Sequence, residues 1–174
     1  MTRVVFQTSV GAFTIELDAQ RAPVTVANFL RYVDEGFYAD TIVHRAVPGF
    51  VIQMGGYDER LSQKKTNPPI ANEWKNGLKN VRGTLSMART ADPNSATSQF
   101  FVNLSDNDNL DQPVSGGAGY AVFGRVVAGM DVIDKIAVSK TRDESRLGGM
   151  PCPQPMVRIT SATREAAGGQ SREG

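Results

Sequence analysis

The chain is a succession of short β-type runs broken by Gly, Pro and Asn, and only two stretches carry helical periodicity. That pattern restricts the fold more than any other feature. Phe13, Ile15 and Leu17 alternate with Thr14, Glu16 and Asp18, the period-2 signal of a half-buried strand. Val4 to Thr8 precedes them across a short turn at Ser9-Val10-Gly11, which predicts an opening hairpin. Further strands are predicted over Thr41–Val47, Phe50–Met54, Thr84–Ala88, Gln99–Leu104, Tyr120–Val126 and Met156–Ala162, about eight in all. The helical stretches are Pro23 to Glu35, with Val26, Phe29, Leu30 and Val33 on one face, and Met130 to Val138, with Met130, Ile133, Ile136 and Ala137. Pro23 suits a first helical position and Gly36 the residue after a last turn. Two isolated helices among eight strands cannot supply βαβ alternation. The expected class is mainly β, an antiparallel barrel or sandwich whose ends are covered by the helices.

A chain of 174 residues can bury a substantial core, and one domain is the expectation. Lys plus Arg number 19 and Asp plus Glu 18, a balance that gives no support for a nucleic-acid or polybasic membrane surface. No apolar run approaches the roughly 18 residues of a membrane span, and Met-Thr-Arg-Val-Val-Phe-Gln reads as a strand, not a signal peptide. The single cysteine, Cys152, permits no internal disulfide and fits a reducing, cytoplasmic setting. Tyr57 to Leu78 and Ser105 to Gly119 are long polar loops, the kind of segment that carries binding surfaces. The domain is expected to span residues 1–164, followed by a small, polar, disordered tail over 165–174.

Chemistry concentrates in two runs. In the first, Phe37 to Gly56, Arg45 sits in an apolar strand with no acid between Asp40 and Asp58, followed by Phe50 and Gln53. Taking a guanidinium out of water is costly unless its donors are used. Arg45 is therefore either exposed on a wet strand face or aimed into a site that needs a fixed donor. In the second run, Ser86 to Val102, Gln99 and Phe101 share a strand face. Read from the residues alone, Phe101 is plain core and Gln99 an exposed strand residue. His44, the only histidine, is read as structural and, by strand alternation, on the face opposite Arg45. One His and one Cys far apart make a poor metal site, so no metal or cofactor is expected. Gly55-Gly56, Gly116-Gly117 and Gly148-Gly149 lack the following Lys-Ser/Thr of a phosphate loop and are read as turns.

Several long motifs, in order, resemble the cyclophilin family of peptidyl-prolyl cis-trans isomerases in its bacterial cytoplasmic form. They are Phe-Tyr-Ala-Asp-Thr-Ile-Val-His-Arg, Pro-Gly-Phe-Val-Ile-Gln-Met-Gly-Gly, Ser-Met-Ala-Arg-Thr, Ser-Ala-Thr-Ser-Gln-Phe-Phe-Val and Gly-Tyr-Ala-Val-Phe-Gly-Arg-Val. The segments beginning at Ala22 and Val127 match as well, so the likeness runs from about Val4 to Thr160. The resemblance implies a closed eight-stranded antiparallel barrel capped by two helices. It implies catalytic roles for Arg45, Phe50 and Gln53, and substrate binding by Val51, Ala88, Arg89, Thr90, Gln99, Phe101, Leu110 and Tyr120. Asn109 departs from the family, where Trp or Phe usually precedes the pocket leucine and contributes to cyclosporin binding, so only weak cyclosporin binding is expected. The implied partners are proline-containing peptides and unfolded or partly folded proteins, bound by a monomer. Two other readings remain open here: a non-catalytic proline-peptide module or chaperone using the same groove, and a lipocalin-like barrel with a ligand-filled interior.

Overall fold

A computed structural model describes residues 1–166. Strands β1 (Arg3–Thr8) and β2 (Gly11–Leu17) form the opening hairpin, followed by helix α1 (Pro23–Asp34), β3 (Thr41–Val47) and β4 (Val51–Asp58). Then come β5 (Thr84–Met87), β6 (Phe100–Asn103), β7 (Val122–Ala128), helix α2 (Met130–Ala137), β8 (Thr141–Glu144), β9 (Met150–Pro153) and β10 (Arg158–Arg164). Eight strands close into a barrel in the order β1-β10-β3-β4-β6-β5-β7-β2, each antiparallel to its neighbours. The mainly-β barrel with two helices is the expected class. Of the predicted tail, residues 167–174 lie outside the described residues.

The interior is solid. Phe6, Phe13, Phe29, Tyr38, Phe100 and Phe123 are all at most 1% exposed and stack ring on ring, with Phe6 and Phe13 parallel at 5.0 Å and Phe29 edge-on to Phe100 at 5.3 Å. Each such ring contributes roughly 1.5–3 kcal/mol on burial. An interior filled by side chains holds no ligand, which rules out the lipocalin-like reading. Phe29 is delivered by α1 and Ile133 and Ile136 by α2, so both helices plug into this core. Pro23 starts α1 as expected. The carboxylate of Glu73 accepts from the Val24 and Thr25 N–H groups at 3.3 and 2.7 Å, so the long loop after β4 caps this helix from outside.

Three local readings need correction. Phe50 lies in the turn before β4, which begins at Val51. Gly55 and Gly56 lie inside β4, which continues to Asp58, and do not form a turn. Hairpin β8–β9 was not anticipated at all. Its strands read Thr-Arg-Asp-Glu and Met-Pro-Cys-Pro, the first polar and the second holding two prolines, so neither carries a strand signal. It packs over the outer face of β3, where Leu147 and Cys152 bury Ile42.

Candidate active site

The site begins with an irregularity in β3. Val43 pairs with Met54, yet Arg45 pairs with Gln53, so two residues of β3 advance against one of β4. That extra residue is a β-bulge at His44–Arg45. Its effect is to change which face Arg45 takes. Val43 and Ala46 both point into the barrel core, which regular alternation forbids for residues three apart. Without the bulge Arg45 would share the inner face with Val43. With it, Arg45 joins Gln53 on the outer surface. His44 also stays outside, its ring 4.7 Å from Tyr57. The expectation that His44 and Arg45 take opposite faces is thus overturned by the bulge.

Arg45 is half-buried and, among the described residues, forms no ion pair. Its Nη1 donates to Gln53 Oε1 at 3.4 Å, and its guanidinium carbon stands 5.8 Å from the Phe50 ring centre. Gln53 Nε2 donates in turn to Gln99 Oε1 at 3.0 Å. A Cβ at Gly56 would fall 2.4–2.6 Å from the Gln99 side chain, so that side chain occupies space only glycine leaves free. The result is a chain, Arg45–Gln53–Gln99, that orients the guanidinium, with no acid among the described residues to compensate it.

Beside this chain a cavity of about 210 Å³ is lined by Arg45, Phe50, Val51, Gln53, Ala88, Arg89, Phe101, Leu110, Tyr120 and Met150. Val51, Phe101 and Leu110 form a small apolar cluster of their own, separate from the barrel core. Phe101 is therefore buried, at 5% exposed, but is not part of the main core as its sequence position alone suggests. Tyr120 meets it edge-on at 5.7 Å. The Arg89 guanidinium lies 4.4 Å from the Tyr120 ring, and its Nη2 donates to the carbonyls of Ser115, Ala118 and Gly119 at 3.0, 2.8 and 3.1 Å. That side chain holds the loop and has little left to offer a ligand.

Nine of the eleven predicted site residues line the cavity. Gln99 stands one hydrogen bond behind it, through Gln53, and is half-buried, not exposed. Thr90 is not in the lining: its N–H and hydroxyl both bond Ser95 Oγ, at 2.9 and 2.8 Å. Asn109 is exposed in the short 3-10 turn Asp108–Asp111 and does not line the cavity. Met150 was missed, because it arrives on the unforeseen hairpin and no local pattern ties it to Arg45.

His44 is fully buried, and neither ring nitrogen has a hydrogen-bond partner. Burial, reinforced by the charge of Arg45, pushes its pKa from 6.5 down to about 4, so it is a neutral structural ring at pH 7. Burial likewise raises the pKa of the Cys152 thiol. A second hollow, about 290 Å³, lies between Leu78, Val81, Thr84, Val122 and Arg125. It has no aromatic wall beside an oriented donor, which leaves the cavity at Arg45 as the candidate site. No helix is long and apolar enough to cross a membrane among the described residues.

Comparison with known proteins gives the family. Residues 3–164 match the family model of cyclophilin type peptidyl-prolyl cis-trans isomerases. The chain is 51% identical over 156 residues to peptidyl-prolyl cis-trans isomerase A of Dickeya dadantii, covering 90% of this chain and 81% of that protein. It is 54% identical over 135 residues to isomerase B of Escherichia coli, covering 76% and 82%. A crystal structure of a Cryptosporidium parvum cyclophilin type isomerase in the presence of the dipeptide Ala-Pro superposes with a TM-score of 0.75 at 26% identity, covering 94% of this chain and 99% of that one. The chain belongs to the cyclophilin-type peptidyl-prolyl cis-trans isomerases. Its reaction is rotation about the peptide bond preceding proline.

Proposed function

We propose that Arg45 is the group that lowers the rotation barrier, by donating to the prolyl nitrogen as the amide twists. The peptide C–N bond resists rotation by roughly 18–20 kcal/mol because the nitrogen lone pair is delocalised into the carbonyl. X-Pro bonds populate both isomers yet exchange over about 10–100 s. Twisting returns the lone pair to nitrogen, which then accepts a hydrogen bond that the planar amide cannot. A donor held in place therefore favours the twisted state over the ground state, the condition for catalysis. The carrying observation is that the Arg45 guanidinium is oriented by Gln53, has no acid partner among the described residues, and borders an apolar slot.

Phe50, Val51, Phe101, Leu110 and Tyr120 hold the proline ring and exclude water. Ala88 and the main chain of Arg89 border the slot where the flanking peptide would pair. Gln53 and Gln99 orient Arg45 and contact the substrate backbone, whereas Thr90 acts only through the shape of its loop. The substrates are proline-containing peptides and unfolded or partly folded proteins, handled in the cytoplasm by a monomer of one domain, residues 1–164. With Asn109 in place of an aromatic, cyclosporin binds weakly. A protease-coupled assay on an Ala-Pro peptide, run on the protein and on Arg45→Ala with and without cyclosporin, tests these points together. Full activity of the variant contradicts the role of Arg45, and tight inhibition contradicts that of Asn109.

A further inference from the structure

Behind the slot lie three buried asparagines, Asn80, Asn103 and Asn107, exposed by only 0%, 0% and 8%. Asn80 uses every donor and acceptor it has. Its N–H and Nδ2 both donate to Asp111 Oδ1 at 2.8 Å, and Nδ2 also reaches the Tyr120 carbonyl at 3.3 Å. Its Oδ1 accepts from Ser86 Oγ at 2.6 Å and Asn103 Nδ2 at 3.0 Å, and its carbonyl from the Asn107 N–H at 2.8 Å. Asn107 Nδ2 donates both to Asn103 Oδ1 at 2.9 Å and to the Phe50 carbonyl at 3.0 Å. The Asn107 carbonyl accepts from Leu110 N–H at 3.0 Å, and the Leu110 carbonyl from Tyr120 N–H at 2.9 Å.

We propose that Asn80, Asn103 and Asn107 form a positioning relay that sets the width of the proline slot by tying Phe50 on one wall to Leu110 and Tyr120 on the other. The two walls come from distant parts of the chain, the β3–β4 turn and the loop between β6 and β7, and neither belongs to a barrel strand at the residues that matter. Barrel pairing reaches Phe50 only where the Leu104 N–H donates to its carbonyl at 2.9 Å, and this bond does not extend to Leu110 or Tyr120 on the other wall. Buried amides are poor sources of net stability, since apolar residues of similar shape pack there at least as well. What a fully satisfied amide network supplies is direction: each bond fixes a distance and an angle. The relay leaves Arg45 alone, because that side chain is oriented through Gln53 and Gln99 on the far side of the slot.

This inference rests on the slot being the substrate site. Its test is the kinetics of Asn107→Ala, which leaves the Phe50 carbonyl only the Leu104 N–H, and of Asp111→Ala, which removes the half-buried acceptor that joins the 3-10 turn to the Asn80 N–H and Nδ2. Both are measured with an Ala-Pro tetrapeptide, with the folded fraction followed by circular dichroism. The expected result is a KM raised about ten-fold with kcat held within about a factor of two, because the walls loosen while the donor stays. A purely structural role does the reverse: fewer folded molecules lower the apparent kcat and leave KM unchanged. That outcome, or an unchanged KM in folded Asp111→Ala, overturns the relay. Phe101→Ala serves as the control for the site itself. If it raises KM and the relay variants do not, only the relay fails; if it too leaves KM unchanged, the placement of the substrate fails with it.

Discussion

At the scale of single residues, the proposed site rests on one charge without an acid partner among the described residues, held in one direction. Arg45 is half-exposed and makes no ion pair among the described residues, so its removal leaves no buried charge stranded. Arg45→Ala is expected to lower kcat/KM by about 10²–10³, the usual loss for one oriented donor, with the urea midpoint nearly unchanged. Arg45→Lys is expected to recover little, since the three donors of an ammonium radiate from one point and do not span from Gln53 to the slot as the planar guanidinium fork does. Single-turnover or line-shape kinetics on an Ala-Pro peptide measures both. The residue types Arg, Phe and Gln at this spacing were legible in the sequence. Why Arg45 faces outward was not, because the bulge is a property of how β3 pairs with β4.

At the scale of elements, β4 carries two adjacent glycines with different duties. Gly55 has φ of +94°, and an added Cβ would lie 2.9 Å from the Tyr38 ring and 3.0 Å from the Ser98 carbonyl. Gly55→Ala is expected to destabilise by about 2 kcal/mol or more, read as a lower midpoint in urea. At Gly56 the obstacle is only the flexible Gln99 side chain. Gly56→Ala is expected to shift stability by about 1 kcal/mol at most, yet to reduce activity by displacing Gln99 from Gln53. Equal effects of the two variants on stability would contradict this division. Hairpin β8–β9 supplies a further check. Its Cys152 is buried against Ile42, with its pKa raised by burial, so native protein is expected to react far more slowly with iodoacetamide at pH 8 than protein in urea.

At the scale of the whole molecule, His44 links folding to pH. Its pKa is about 4 when folded and 6.5 otherwise. Below 6.5 the unfolded chain takes up a proton that the folded chain refuses, so stability is full above 6.5 and falls as pH drops toward 4. At roughly 1.4 kcal/mol per pH unit across that window, the loss approaches about 3 kcal/mol. Asp34 and Asp134, held below the usual carboxylate range by hydrogen bonds from Arg164 and Arg82, add to acid sensitivity as their carboxylates protonate at lower pH. His44→Phe isolates the histidine. It is expected to flatten the urea midpoint between pH 7 and 4.5, and parallel profiles for the two proteins would show that His44 does not govern this range.

The sequence by itself determined the eight barrel strands and two helices, the core faces of β2, α1 and α2, and most residue types of the slot. These are local matters: alternation at period 2 and 3.6, turn residues and helix ends are written in neighbouring positions. The tertiary structure decided the rest. The bulge that turns Arg45 outward, the Met150 wall from a polar hairpin, the turning away of Thr90, and the asparagines joining Phe50 to Leu110 all depend on pairings between segments far apart in the chain. Such pairings are set by closure of the barrel and by packing against it, and no window of adjacent residues carries that information.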